Sequence, residues 1–272
     1  MNLLLDIGNT NLRWVSQEGP GLGVSGTVRH GGGAPLDLIA TWESLEPPGR
    51  VLVGNVGGES VAAAVARVVR ALWGIHAELV VVQGSCLGLR VAYADPSRLG
   101  VDRWLALLGA QGLPGGSALI VDAGTAVTYD LLLAGGQHLG GLILPGIEMM
   151  RGALLQGTRI PPMGLDPAAP TASPITPSIG LAEPWATDTG SAVAAGGIQA
   201  LGALADRLYD RLYDRLAERH NQGLEPGSDS SAPRLLLTGG DRERLAPAIG
   251  RPFQILPDLV LRGLARLAEG CC

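Results

Sequence analysis

Asp6 and Asp122 each close an apolar run and are followed at once by Gly and Thr, in Leu3-Leu4-Leu5-Asp6-Ile7-Gly8-Asn9-Thr10 and in Leu119-Ile120-Val121-Asp122-Ala123-Gly124-Thr125. Such a run reads as a buried strand. A Gly after it lets the chain turn with its backbone N–H groups converging on an anion, and a Thr hydroxyl adds a donor. One copy alone reads more readily as a plain hairpin, since Asp and Gly are ordinary turn residues. Recurrence after two comparable strands shifts the expectation to a pair of phosphate-binding turns. Phosphoryl transfer needs positioning and charge neutralisation more than covalent chemistry, so metal-holding carboxylates and amides aimed at oxygen are the required parts. Gly239-Gly240, ahead of a helix start capped by Asp241, offers a third nucleotide contact or else a simple strand-to-helix turn.

Between the two copies lies Tyr93-Ala-Asp-Pro-Ser-Arg-Leu-Gly100-Val101-Asp102-Arg103-Trp104. A carboxylate beside an Arg at a helix start suits a general base next to an anion-holding guanidinium, and suits a surface ion pair as well. Other signals lead nowhere. Gly21, Gly23 and Gly26 fit G-x-G-x-x-G, but no long helix follows them, and they read as a Gly-rich turn. His30, His76, His138 and His220 have no ligand spacing, and no G-x-S-x-G elbow is present.

Composition narrows the chemistry further. All 20 residues counted as Lys+Arg are Arg. Without lysine there is no Walker A loop of the GKT type, no protein-kinase strand lysine and no Schiff-base chemistry, so phosphate must be met by amides, hydroxyls, Arg and metal. A formal charge of −5 argues against a nucleic-acid binder working through a general basic surface. Cys86, Cys271 and Cys272 lack metal-like spacing and cannot build a disulfide framework for 272 residues, so a reducing compartment, the cytoplasm, is expected. The first apolar run is broken by Asp6, unlike a signal peptide, and no stretch approaches a membrane span.

The elements that must hold these residues repeat. Strands are expected over 2–6, 12–15 and 26–29, then 50–53 and 78–82, with helices over 59–72 and 96–110. After a boundary at 112–116 the pattern restarts with strands over 118–122, 127–133 and 139–144, which suggests a meander opening a mixed sheet. Residues 157–184 and 221–233 read as long loops on either side of a helix from 190 to about His220. In that helix the tandem Asp206-Arg-Leu-Tyr and Asp210-Arg-Leu-Tyr predict an apolar stripe of Leu208, Leu212 and Leu216. They also predict ion pairs of Arg207 with Asp210 and Arg211 with Asp214. A strand over 234–237 and an amphipathic helix from about Leu259 to Glu269 close the chain.

Taken in order, DIGNTN at 6–11, YADPSRLGVDR at 93–103, DAGTAVTYD at 122–130, GGLILPG at 140–146, TGSAVAAG at 189–196 and TGGD at 238–241 resemble the type III pantothenate kinases, also called the Bvg accessory factor family. The resemblance implies an α/β fold of two ribonuclease-H-like domains of the actin-like kinase superfamily, with mixed sheets flanked by helices, which close over ATP. By position the domains would be 1–114 and 115–272. It implies ATP-dependent phosphorylation of pantothenate in a homodimer, the first step toward coenzyme A, with Mg²⁺ and a monovalent cation, K⁺ or NH₄⁺. Carried over by position, Asp6, Ile7, Gly8, Asn9, Thr10, Asn11, Leu12 and Arg13 form the first ATP motif and Thr125 a second contact, with Asp6 reaching Mg²⁺ through the phosphates. Asp122 resembles the monovalent-cation ligand and Asp102 the general base. Tyr93, Gly100, Val101, Asp102, Arg103 and Thr189 resemble the pantothenate contacts. A phosphatase or sugar kinase of the same superfamily would not need the Gly-Val-Asp-Arg element. A purely regulatory accessory protein would not need Asp6, Asp102, Asp122 and Thr125 together.

Overall fold

The computed structural model describes residues 1–33, 36–160, 185–221 and 232–270. The expected loops at 157–184 and 221–233 therefore fall mainly outside the described residues. Contacts divide the chain into two units. One comprises Met1–Gly115, Leu132–Gly140 and the stretch from Asp258 on, and the other Gly116–Leu131 and Gly141–Pro257. The expected cut after residue 114 lies beside the end of the first long stretch, and two later stretches return to the first unit.

The first unit begins with β1 (Asn2–Ile7), β2 (Asn11–Glu18) and β3 (Gly21–Arg29), then α1 (Leu36–Glu43), β4 (Arg50–Asn55), α2 (Glu59–Trp73) and β5 (Ala77–Leu79). A two-strand ribbon, β6 (Ser85–Cys86) with β7 (Leu89–Arg90), precedes α3 (Val101–Gln111). The sheet order is β3-β2-β1-β4-β5, antiparallel across β3-β2-β1 and parallel across β1-β4-β5. Alternation along β1 and β4 sends Leu3, Leu5, Ile7, Val51 and Val53 into one apolar cluster with Val61, Val65 and Val69 of α2 and Leu38 and Trp42 of α1. Trp14 meets Trp42 edge to face and Trp73 lies tilted against Trp42, with centroid separations of 6.4 and 5.8 Å. Asp6 belongs to the opposite face by the same alternation.

The second unit repeats the plan with β8 (Ala118–Ala123), β9 (Ala126–Leu132), β10 (His138–Pro145), α4 (Ile147–Gly157), α5 (Thr189–Asn221), β11 (Arg234–Thr238), α6 (Arg242–Leu245) and β12 (Gln254–Ile255). Its order is β10-β9-β8-β11-β12, with β11 parallel to both β8 and β12. Position for position this is the order of the first sheet, so the repeated Asp-Gly-Thr pattern marks a duplicated domain, the two-domain plan that the family resemblance implies. Tyr129 of β9 donates its buried hydroxyl to the Leu201 carbonyl of α5 at 2.9 Å. Leu208, Leu212 and Leu216 are buried as the stripe predicts.

The polar side of α5 differs from expectation. Asp206 accepts from the N–H groups of Gly250 and Arg251, at 2.9 and 3.0 Å, and Asp210 pairs with Arg251 at 2.8 Å. Residues 250–251 thus engage both repeat carboxylates, Asp206 through backbone N–H groups and Asp210 through the Arg251 guanidinium. Gly21, Gly23 and Gly26 lie in strand β3 rather than a turn, and a Cβ at Gly26 would strike the Trp14 ring. The 96–110 helix is broken at Gly100, which N-caps α3 after a short 3₁₀ turn whose Ser97 N–H is capped by Asp95. Helices α1 and α4 add to the elements expected from the sequence. Asp241 precedes α6, but its carboxylate binds Arg244 instead of capping the helix. Cys86 is disulfide-bonded, where no disulfide was expected. No helix among the described residues is long and apolar enough to cross a membrane.

Helix α7 (Leu259–Glu269) returns to the first unit and packs on α3. Glycines make this crossing close: a Cβ on Gly263 would overlap the Leu105 carbonyl, and one on Gly109 the Leu259 carbonyl. Arg266 adds hydrogen bonds to the Leu108 carbonyl and to Gln111. Gly263→Ala should therefore lower the unfolding free energy by about 1–3 kcal/mol despite the better helix propensity of Ala. Urea unfolding checks this, and an unchanged or raised stability would contradict it.

Candidate functional site

The first turn is built by the end of β1. Gly8 N–H bonds to the Asn11 carbonyl at 2.9 Å, which closes the turn and leaves Asn9 exposed at its tip. Ile7 and Leu12 are fully buried in the sheet, so they can serve a ligand only through their backbone. Arg13 of β2 lies opposite Asp6 in register, and its Nη2 and Nε donate to Asp6 Oδ2 at 2.7 and 3.2 Å. Burial pushes the Asp6 carboxyl above its ordinary value, and Arg13 pulls against that shift without cancelling it. A buried carboxylate only partly compensated by one guanidinium is a group that a further cation would relieve.

A second segment supports the same turn. At the end of β4, Val56 and Gly57 donate their N–H groups to the Ile7 carbonyl, at 2.8 and 3.0 Å. Asn55 ties this corner together by accepting from Gly57 N–H at 3.1 Å and donating to the Gly58 carbonyl at 3.2 Å. A Cβ on Gly57 would overlap the Gly8 carbonyl. The Asn55-Val-Gly-Gly corner had no expected role, because it is distant in sequence from the motif it supports.

The second turn stands at the matching place in its sheet but is one residue tighter. Gly124 N–H bonds to the Ala126 carbonyl at 3.0 Å, and Asp122 pairs in parallel register with Thr238 at the end of β11. A Cβ on Gly239 would overlap the Ala123 carbonyl, so Gly239 plays toward Ala123 the part that Gly57 plays toward Gly8. Gly146 closes the other side: its N–H donates to the Thr125 carbonyl at 2.9 Å, and a Cβ there would overlap both Gly124 and Thr125 carbonyls. Thr238 Oγ1, beside Asp122 in the ladder, is buried with no hydrogen-bond partner among the described residues. Asp122 is half-buried and Thr125 exposed. Glu148, one residue into α4, sits with its carboxyl below the ordinary value: burial opposes this, but bonds from Arg244 and Arg151 outweigh it.

Gly239 has φ +93°, a region costly for any other residue, in addition to its lack of space. Gly239→Ala should cost about 2–5 kcal/mol of stability through strain and overlap. Gly240→Ala, where a Cβ meets nothing, should be close to neutral. Calorimetric melting of the two variants checks the contrast, and equal melting temperatures would contradict the clamp.

The segment between the turns brings Tyr93 and Arg103 together in the first unit. Arg103 is 5% exposed, donates from Nη1 to the Tyr93 hydroxyl at 2.9 Å, and holds its guanidinium carbon 5.8 Å from the Tyr93 ring centre. Gly100 leads into α3, Val101 opens it, and Asp102 Oδ1 accepts from the Arg103 N–H at 2.8 Å. The tip of the β9–β10 hairpin, which groups with this unit, holds the segment from below. Arg90 N–H bonds to the Gly136 carbonyl at 2.8 Å, Ala92 N–H to His138 Nδ1 at 3.4 Å, and the His138 ring lies parallel to Tyr93 at 6.2 Å. Thr189 is in the second unit, exposed as the first residue of α5, whose start is capped by Asp188 through the Ser191 N–H at 2.9 Å.

Two histidines escaped sequence reasoning, His30 at the first turn and His138 beneath Tyr93. Neither has ligand spacing, and only the strand pairing that brings each beside a motif reveals it. No group of three His, Cys, Asp or Glu able to hold a metal occurs among the described residues. A hard divalent cation would be held by one carboxylate together with phosphate oxygens and water, the usual mode for Mg²⁺ at nucleotides.

Two carboxylate turns at matching places in the two sheets, with an Asp-Arg pair at the start of a buried helix, match a known group of sequences over most of the chain. The family profile for type III pantothenate kinases matches residues 2–211. Type III pantothenate kinases of Nitrosococcus oceani and Aromatoleum aromaticum are 35% and 33% identical, covering 99% of this chain and 94% and 98% of theirs. A solved structure from Campylobacter jejuni, described as of the Baf transcriptional-activator family, superposes with a TM-score of 0.53 at 19% identity. It covers 98% of this chain and 97% of its own, and supports the fold. The chain belongs to the type III pantothenate kinase family.

Proposed function

We propose that this protein transfers the γ-phosphoryl group of ATP to the primary hydroxyl of pantothenate, the first step of coenzyme A biosynthesis. The observation that carries this reading is family membership over nearly the full chain, joined to two phosphate turns built alike. With no lysine in the chain, the turns at Gly8–Thr10 and Gly124–Thr125 supply amide and hydroxyl donors to the phosphates. Ile7, Asn11, Leu12 and Arg13 complete the first motif, Arg13 by holding Asp6. Asp6 would hold Mg²⁺ jointly with the phosphates, and Asp122, beside the unpartnered Thr238 hydroxyl, would hold K⁺ or NH₄⁺. When bound, these cations neutralise phosphate charge.

Arg103, kept in place by Tyr93, pairs with the pantothenate carboxylate, and Gly100, Val101 and Thr189 contribute to the same substrate. Asp102 accepts the hydroxyl proton as that oxygen attacks the γ-phosphorus, and ADP leaves with the electrons of the broken P–O bond. A cytoplasmic homodimer fits this reading. Leu142 and Ile143 on edge strand β10 and Met149 and Leu154 on α4 are exposed apolar residues that such an assembly would cover. The test is ADP release by the full-length protein with pantothenate present or omitted, in K⁺, NH₄⁺ or Na⁺. The expected result is turnover that requires pantothenate and is several-fold faster in K⁺ or NH₄⁺. Turnover indifferent to pantothenate would refute the substrate, and indifference to the cation would refute the role of Asp122.

A further inference from the structure

His30 follows β3 directly and is nine-tenths buried against the first phosphate turn. It grips the turn at two points. Its backbone N–H bonds to the Thr10 carbonyl at 3.2 Å, and its Nε2 lies 2.7 Å from the Gly8 carbonyl oxygen. A carbonyl can only accept, so Nε2 carries the proton and donates it. The other ring nitrogen, Nδ1, is buried with no hydrogen-bond partner among the described residues.

That orphan decides between packing and positioning. A buried polar atom without a partner is destabilising, so an imidazole is a poor filler unless its other nitrogen does something an apolar side chain cannot. What Nε2 does follows from peptide geometry. In a trans peptide the carbonyl of one residue and the N–H of the next point in opposite directions. Drawing the Gly8 carbonyl inward toward His30, with Gly57 packed against the same carbonyl, turns the Asn9 N–H outward at the exposed tip of the loop. Glycine at position 8 would otherwise let that peptide plane flip at little cost.

We propose that His30 is a positioning residue that fixes the Gly8–Asn9 peptide so that its N–H faces the ATP phosphates. The proposal rests on the assignment of the 8–10 turn to ATP. It acts through the loop backbone, with no contact of its own to substrate.

The test is steady-state kinetics of the full-length protein with ATP and pantothenate varied in turn, for His30→Met, His30→Gln and His30→Asn. The Gln amide nitrogen reaches the place of Nε2, whereas the Asn amide reaches only that of Nδ1. His30→Met and His30→Asn should raise KM for ATP by about tenfold, the factor matching the loss of one buried hydrogen bond. KM for pantothenate should stay within about twofold, and His30→Gln should recover most of the loss. Should His30→Met fail to fold, the contrast of Gln with Asn carries the same test. The proposal is overturned by an unmoved KM for ATP, by equal rises for both substrates, or by a Gln variant no better than Asn. Thr10→Val tests the underlying assignment separately. If it leaves KM for ATP unchanged, the turn is not the phosphate site, whatever the His30 variants do.

Discussion

Asp102→Asn should lower kcat for pantothenate phosphorylation by about 10²–10⁴ while KM for ATP stays unchanged, as expected for removal of a general base. The substitution is a clean probe because of where Asp102 sits. Its Oδ1 is anchored by the Arg103 N–H at 2.8 Å in the first turn of α3. The Asn carbonyl oxygen can accept that same bond and the volume is nearly equal, so the helix start is preserved and only the proton acceptor is lost. Pre-steady-state quench of ADP and product, alongside kcat, checks the prediction. Equal rates for Asp102→Asn and the parent would remove Asp102 as the base and leave positioning alone to carry the reaction.

The second large effect concerns Arg103. Arg103→Met should raise KM for pantothenate by about 10–100-fold, because a buried charged hydrogen bond is worth about 1.5–3 kcal/mol. Met keeps most of the apolar stem in a site that is 5% exposed, so the loss reads the guanidinium and not a cavity. Tyr93, which accepts from Nη1, should remain in place through its parallel contact with His138. Saturation curves in pantothenate at saturating ATP measure the effect. A fall in kcat at constant KM would contradict ground-state carboxylate binding and make Arg103 a transition-state contact.

The two strand-plus-turn motifs were legible because each is compact in sequence: an apolar run, a carboxylate and a Gly state their own local structure. The duplication followed from that, and the identical strand order of the two sheets bears it out. What sequence did not show was whatever supports a motif from a distance. Gly57 and Gly239 both cover a turn, yet only Gly239 stood out, because it lies in a Thr-Gly-Gly-Asp string while Gly57 follows an ordinary strand. His30 and His138 are separated from their turn and tyrosine by 22 and 45 positions, and only sheet pairing closes those gaps. The ion pair expected between Arg207 and Asp210 of α5 failed for the same reason: Arg251 takes Asp210, and no helical periodicity can reveal a competitor from elsewhere. Helix α4 escaped because its N-cap is Gly146, which has no capping side chain to announce a helix start.

The central claim is that this chain phosphorylates pantothenate at its primary hydroxyl, and ³¹P NMR of a complete reaction with ATP, Mg²⁺, K⁺ and pantothenate tests it most directly. The account predicts one new phosphomonoester resonance, coupled to the methylene protons of the primary alcohol and growing in equal proportion to ADP. Inorganic phosphate growing with ADP, or no pantothenate-dependent resonance at all, would contradict it.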